Sequence, residues 1–222
     1  MSSAFDETTT APPTPASGTP ALPAPRTHRR PATDVALVAT FAAFVAACTL
    51  VPSIPTGAGV PITLQTFGVM LAGLVLGPLR GFLAVALYLV VGLAGVPVFA
   101  DLSSGLGTLG KPSVGYLLAF PLAALVAGLL SRVALRAPVR RRWAALAAAG
   151  LGASFLTVHP AGVAGLMWLR EVDLPAALAI DVVYWPGDVL KNLLAGAVTV
   201  AVLRAFPDLR PDVRPRQAAQ PS

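Results

Sequence analysis

Charged side chains are scarce in this chain of 222 residues, and so are the residues that most often build disulfides and metal sites. Only 12% of the residues are charged, against about 25% in a typical soluble domain, whereas 55% are hydrophobic. Cys48 is the only cysteine, which excludes an intrachain disulfide and a cysteine-based metal site. The composition therefore predicts an integral membrane protein.

Histidine is almost as rare, which limits the enzymatic chemistry that the chain can carry. His159 is the only histidine outside the first 34 residues, so a histidine-based metal site lacks a second ligand. No G-x-S-x-G motif surrounds a serine, so a Ser-His charge relay is disfavoured as well. We interpret His159 as a structural or interfacial residue, and we expect a protein that is not an enzyme and needs no metal ion or cofactor.

The hydrophobic residues that are present fall into six segments, each of a length that can cross a bilayer. The predicted spans cover roughly residues 35–51, 62–79, 81–96, 113–131, 143–168 and 186–205. Because His159-Pro160 interrupts the fifth span, we expect a kinked helix there. Between the last two spans, residues 174–185 are expected to form a short interfacial helix, with Tyr184 and Trp185 at headgroup level.

The distribution of basic residues predicts the orientation of these spans. Thirteen Lys and Arg residues fall on one side, in the two tails, at Arg80 and in the cluster 132–142, whereas the other side holds only Lys111 and Arg170. The positive-inside rule then places both termini in the cytoplasm. We therefore predict a disordered cytoplasmic tail at 1–34, an all-α domain of six transmembrane helices at 35–205, and a cytoplasmic C-terminal tail at 206–222. Basic clusters of this kind reflect topology rather than nucleic-acid binding.

Small residues recur at every fourth position of the first span. Ala39, Ala43 and Ala47 would form a smooth stripe on one helix face, where another helix can approach closely. An alanine-rich sequence also produces such a stripe by chance, so the stripe alone does not establish a docking surface.

Two opposite charges open the last apolar segment, where a bilayer-spanning helix should avoid them. Asp188 and Lys191 are spaced i,i+3 and therefore lie on one helix face. Pro186 suits the first helical turn, which places Asp188 near the positive end of the helix dipole. Two interpretations are open: the pair holds a polar ligand in the bundle interior, or it is an internal ion pair that fixes helix register.

Three further polar residues are predicted to lie near this pair on the outer side. Gln65 opens the second span and offers amide donors and an acceptor, and Tyr88 sits within the third span, where it either packs or faces a ligand. Lys111 belongs to the segment 97–112, which is too polar and too rich in glycine to span. That segment acts either as a loop covering a site or as a plain connector.

Several motifs occur together in a fixed order, which makes them far more specific than any one alone. They are VPITLQT at 60–66, LAG at 71–73, LGP at 76–78, LYL at 87–89, PVFA at 97–100, PSVGYL at 112–117 and PGDVLK at 186–191. In this order they resemble the signature of the BioY family. The chain departs from the family pattern in its long N-terminal tail, at Asp101–Ser104, and at Lys111, where glycine is expected.

This resemblance implies a function, a substrate and partners. BioY proteins are six-helix, biotin-binding S components of energy-coupling factor (ECF) importers in the cell membrane, and they work with a transmembrane T component and a pair of ABC-type ATPases. The alternative is an S component for another vitamin, such as riboflavin or thiamin. The T component would dock on the alanine stripe of the first span.

The chemistry of biotin matches the candidate site residues. Asp188 can accept hydrogen bonds from the ureido N–H groups, and Gln65 or Tyr88 can donate a hydrogen bond to the ureido oxygen. Lys191 or Lys111 would pair with the carboxylate of biotin, and the sequence leaves open which of the two does so.

We expect reporter fusions to show both termini on the cytoplasmic side. A fusion at Ser222 and one within the loop at Gly105 should give opposite signals, since three of the six predicted spans, an odd number, lie between them. Equal signals from the two fusions would contradict the six-span topology.

Overall fold

The described part of the chain is helical. The computed structural model describes residues 31–57 and 59–210, so most of the two predicted tails lies outside it. The α-helices within it are α1 (Pro31–Ala47), α2 (Gln65–Leu76), α3 (Pro78–Leu93), α4 (Val114–Ala134), α5 (Arg142–Ala153), α6 (His159–Arg170), α7 (Leu174–Asp181) and α8 (Trp185–Ala205). The prediction of an all-α fold is therefore confirmed for these residues.

Two pairs of helices continue one another, which leaves six helical segments. A π-helical turn, Ser154–Val158, joins α5 to α6, and a 3₁₀ turn, Val182–Tyr184, joins α7 to α8. Pro160 has no N–H to donate to the carbonyl of Leu156, so the regular helix cannot pass through this point unchanged. The predicted irregularity at His159-Pro160 thus takes the form of a π-helical turn.

Three of the segments are long and apolar enough to cross a membrane, namely Val114–Ala134, Val139–Arg170 and Leu174–Ala205. The remaining apolar helices α1, α2 and α3 have 17, 12 and 16 residues. The described residues therefore establish three membrane-capable segments, and the six-span topology stays a prediction.

Some predicted boundaries differ from those in the structure. Helix α1 begins at Pro31, inside the predicted tail 1–34, because proline suits a first helical turn and Asp34 in that turn pairs with Arg80 of α3. Tyr184, which is predicted at headgroup level, has a buried side chain whose hydroxyl donates to the carbonyl of Val60 at 2.8 Å. Residues 174–185 thus bury Ala177, Asp181 and Tyr184 against the bundle, while the opposite face of this segment is exposed.

Helix α2 is the centre of the bundle, since eleven of its twelve residues are buried. A helix that is apolar on every side needs neighbours on every side, and α2 packs against α1, α3, α4 and α8. Gly73 permits this packing, because a Cβ at that position would meet the carbonyl of Ala124 in α4. The central position of α2 directs its first residue, Gln65, into the end of the bundle where the site lies.

Candidate functional site

A cavity of about 250 Å³ lies at one end of the bundle, where α2, α4 and α8 begin. Two connecting segments contribute to its wall, the first comprising residues 48–57 and 59–64 and the second residues 94–113. Polar residues that line it are Thr63, Gln65, Thr66, Asp101, Ser103, Thr108, Lys111, Ser113, Asp188 and Lys191, and aromatic ones are Phe99, Tyr116, Phe120 and Tyr184. Four of the five predicted ligand residues, Gln65, Lys111, Asp188 and Lys191, therefore meet at one cavity.

Asp188 and Lys191 form an ion pair at the base of this cavity. Lys191 Nζ lies 3.0 Å from Asp188 Oδ1 and also donates to the hydroxyl of Thr66 at 3.0 Å. The Thr66 hydroxyl in turn donates to Asp188 Oδ1 at 3.2 Å. These three side chains close a triangle that ties the start of α8 to the first turn of α2.

The second oxygen of Asp188 faces a different helix. Ser154 Oγ, in the π-helical turn, lies 3.4 Å from Asp188 Oδ2, and His159 Nε2 lies 3.3 Å from the same oxygen. Only 3% of Asp188 is exposed, so this carboxylate is surrounded by polar partners rather than by water. A buried charge of this kind requires such partners.

The amide of Gln65 is held in one orientation by its neighbours. Its Nε2 donates to the hydroxyl of Tyr88, and its Oε1 accepts from Thr63 Oγ1 at 3.0 Å. The Tyr88 hydroxyl donates to the carbonyl of Val98 at 3.1 Å. Because an amide NH₂ group carries two hydrogens, one N–H of Gln65 remains to donate elsewhere.

Tyr88 is not among the residues that line the cavity, which favours packing over direct contact with a ligand. Its side chain is 2% exposed and lies behind Gln65 and Phe99. The Phe99 ring packs edge-on against it, with centroids 5.5 Å apart, and is seated over Gly92, where a Cβ would meet the ring. Tyr88 can therefore act on a ligand only by orienting Gln65.

The segment 97–112 forms part of the cavity wall, so it is a cover rather than a plain connector. It contributes Phe99, Asp101 and Lys111 among other residues. Asp101 accepts a hydrogen bond from Ser53 at 2.7 Å, which links the two covering segments. Lys111 is exposed at the rim, and its ammonium has no hydrogen-bond or ion-pair partner within residues 31–57 and 59–210.

His159 is a residue of the interior, so of the two interpretations, structural or interfacial, the structure agrees with the structural one. It is 5% exposed, and its Nδ1 lies 2.9 Å from both carboxylate oxygens of Asp181. The sequence held a signal for this arrangement: Asp181 and Asp188 are seven residues apart, which is two turns on one helix face. His159, Asp181, Thr66 and Ser154 are the polar residues of the network around Asp188 that the sequence analysis missed.

The walls of the cavity are mainly apolar and aromatic. Tyr116 and Tyr184 pack edge-on with ring centroids 5.7 Å apart, and Phe120 and Phe99 also line the cavity. Within the described ranges, no cluster of three or more His, Cys, Asp or Glu side chains could hold a metal ion. The apolar walls and polar base of the cavity suit a small organic ligand with a polar end.

The predicted docking stripe lies on an exposed face of α1. Ala39, Ala43 and Ala47 are all exposed, whereas Ala42 and Val45 face the bundle. Beside the stripe, α1 and α3 border an apolar groove of about 740 Å³ whose wall includes Ala39. The stripe is thus available to another chain, although nothing is bound to it here.

Comparison with known proteins agrees with the resemblance noted in the motifs. A family model described as the BioY family matches residues 20–208. The chain is 38% identical over 186 residues to a biotin transporter BioY from Rhodobacter capsulatus, which covers 78% of this chain and 95% of that protein. A biotin transporter BioY from Rhizobium etli is 32% identical over 178 residues, with the same coverage of both chains.

Similarity to a solved structure extends this result to the fold. The S-component for biotin from an ECF-type ABC transporter matches with a TM-score of 0.71 and 25% identity, covering 80% of this chain and 94% of that chain. The family model matches most of the chain, and the relatives are similar over nearly their whole length. The chain belongs to the BioY family.

Proposed function

We propose that this protein is the biotin-binding S component of an ECF-type importer. The observation that carries the proposal is the group of two buried residues, Asp188 and Gln65, and two partly buried ones, Lys191 and Thr66, at the base of an aromatic cavity. A related chain is named as the S-component for biotin, and the similar sequences are named biotin transporters. These names favour biotin over riboflavin or thiamin as the substrate.

The ureido ring of biotin would bind at the base of the cavity. Its two N–H groups need acceptors, and Asp188 is the ionised acceptor that reaches the cavity. Its carbonyl oxygen needs a donor, which the second N–H of Gln65 provides. Tyr88 would hold that amide in place, and Phe99, Phe120 and Tyr116 would pack against the thiophane ring and the chain.

The carboxylate of biotin would then lie toward the rim. Lys191 is already engaged by Asp188 and Thr66 at 3.0 Å each, so its charge is neutralised. Lys111 stands at the rim, and its ammonium is without a partner in the described residues. We infer that Lys111, rather than Lys191, meets the carboxylate.

We further propose six spans in the plasma membrane with both termini in the cytoplasm, so that the cavity opens to the outer side. Biotin captured there would be delivered by ATP hydrolysis in partner subunits, a transmembrane T component and ABC-type ATPases. The exposed stripe of Ala39, Ala43 and Ala47 beside the α1/α3 groove supports docking of the T component on this face.

A binding role for the ion pair predicts a specific result in a double-variant experiment. Asp188→Asn keeps the shape of the side chain but loses its charge, and a lost hydrogen bond to a charged group costs about 1.5 to 3 kcal/mol, or roughly ten- to a hundredfold in biotin affinity. Combining it with Lys191→Met removes the stranded charge and should restore thermal stability but not affinity. Calorimetric binding and melting of both single variants and the double variant measure this. Recovery of affinity in the double variant would show a purely structural pair.

The assignment of the carboxylate to Lys111 can be tested with biotin and its neutral carboxamide. Because Lys111 is exposed, Lys111→Met should weaken biotin binding by only about two- to fivefold and leave carboxamide binding unchanged. Lys191→Met serves as the matched control, since it should weaken both ligands equally through Asp188. The opposite pattern, in which Lys191→Met removes the preference for biotin, would assign the carboxylate to Lys191.

Docking on the alanine stripe can be separated from folding. Ala43→Phe should prevent close helix contact at a cost of about 1 to 3 kcal/mol, so that less T component co-purifies while the isolated protein still binds biotin. Ala201→Phe places the same ring on an exposed position of α8 and should leave both properties intact. Normal assembly of the Ala43→Phe protein would place the docking surface elsewhere.

A further inference from the structure

His159 lies between two buried aspartates that belong to different parts of the bundle. Its Nδ1 is 2.9 Å from both oxygens of Asp181, at the end of α7. Its Nε2 is 3.3 Å from Asp188 Oδ2, in the first turn of α8. All three side chains are at most 5% exposed. The imidazole therefore connects the carboxylate at the base of the cavity to a second carboxylate behind it.

Asp181 is surrounded by donors. The hydroxyl of Tyr116 donates to its Oδ1 at 2.9 Å, and Trp185 Nε1 donates to its Oδ2 at 2.8 Å. With His159 Nδ1 as a third neighbour, both oxygens act as acceptors. This is the set of partners expected for an ionised carboxylate, since a protonated one would need an acceptor for its own O–H.

The contacts of the imidazole indicate its protonation state. A neutral imidazole has one N–H and one lone pair, so it would leave an unprotonated nitrogen beside one of the two carboxylates. That arrangement removes the positive charge that balances a buried anion. An imidazolium donates from Nδ1 to Asp181, and although its Nε2 lacks hydrogen-bond geometry, that nitrogen places positive charge 3.3 Å from Asp188 Oδ2. With Lys191, the imidazolium balances the charges of Asp181 and Asp188. The four groups are then neutral as a set.

The surrounding residues hold the ring in this position. His159 begins α6 directly after the π-helical turn, where its backbone N–H donates to the carbonyl of Ser154. Phe155 lies 4.4 Å from the ring, centroid to centroid, and Trp185 lies 6.2 Å from it. These aromatic contacts leave the imidazole little freedom to turn away from either carboxylate.

We propose that His159 is a positioning residue for biotin capture: as an imidazolium braced by Asp181, it keeps Asp188 ionised and aimed at the ureido ring. The inference rests on the proposed function, because it acts through Asp188. Tight binding of biotin then requires that His159 be protonated on both ring nitrogens. Affinity is full while His159 carries its second proton and falls as rising pH removes that proton, because Asp188 then loses the positive charge 3.3 Å away.

Other ionisable groups face the same region, so the proton must be observed directly. They are Asp181 from α7, Asp188 and Lys191 from α8, Tyr116 from α4 and Tyr184 from the turn between α7 and α8. The chain has only two histidines, His28 and His159. In a His28→Ala background, ¹⁵N-labelled histidine therefore reports His159 alone.

The first measurement is the ¹⁵N spectrum of this protein in detergent micelles as a function of pH, alongside its biotin affinity. We expect both ring nitrogens to be protonated at neutral pH, and we expect the loss of affinity at alkaline pH to follow the loss of that proton. A ring nitrogen found unprotonated at neutral pH would overturn the proposal.

Two variants separate positioning from a merely structural role. His159→Gln can donate but carries no charge, so it should bind biotin about tenfold more weakly, without the alkaline loss of affinity that follows the imidazole. Asp181→Asn removes the negative charge that stabilises the imidazolium of His159. The loss of biotin affinity should therefore occur at a lower pH in this variant, although Asp181 does not line the cavity. An unchanged pH profile in Asp181→Asn would refute the proposal even if His159→Gln does not fold.

Biotin binding by the variants distinguishes a failure of this inference from a failure of the proposed function. If Asp188→Asn binds biotin as the unmodified protein does, the proposed site itself is wrong. If Asp188→Asn loses binding while Asp181→Asn and His159→Gln keep the affinity and pH profile of the unmodified protein, only the role of His159 is wrong.

Discussion

The carboxylate of Asp188, buried in an apolar bundle, is the constraint on which the rest of the site depends. Removing a charge from water costs several kcal/mol unless close partners replace the water. The partners here come from three other parts of the chain: Thr66 of α2, Ser154 of the π-helical turn and His159 of α6. Their convergence on one side chain fixes the relative positions of these helices.

The same constraint explains why the site lies at the end of the bundle. Helix α2 is apolar and buried along nearly its whole length, so polar contacts are confined to its first residues, Gln65 and Thr66. Tyr88 and Phe99 close the space behind Gln65, and the aromatic side chains of α4 form the opposite wall. A ligand would therefore meet polar groups at the base of the cavity and apolar surfaces along its sides.

The sequence predicted the components of the site better than their connections. Asp188 and Lys191 were predicted from local spacing, because i,i+3 neighbours meet on any helix. The exclusion of Tyr88 from the cavity could not be predicted, since it depends on how segment 97–112 seats Phe99 over Gly92. Likewise, His159 meets Asp181 only because α7 packs the face that carries Asp181 against α6. Long-range packing, which a single sequence does not display, accounts for both differences.

The π-helical turn has a consequence for which changes in chain length the protein can tolerate. A turn closed by an i to i−5 hydrogen bond, from His159 N–H to the carbonyl of Ser154, contains one residue more than an α-helical turn. The turn thus takes up one extra residue while the residues after it keep the faces that a regular helix would give them. Deleting one residue from this turn should therefore leave the imidazole in the interior, whereas deleting one residue within α5 would rotate everything after it by about 100°. The segment can lose a residue at the π-helical turn without losing the geometry of the site.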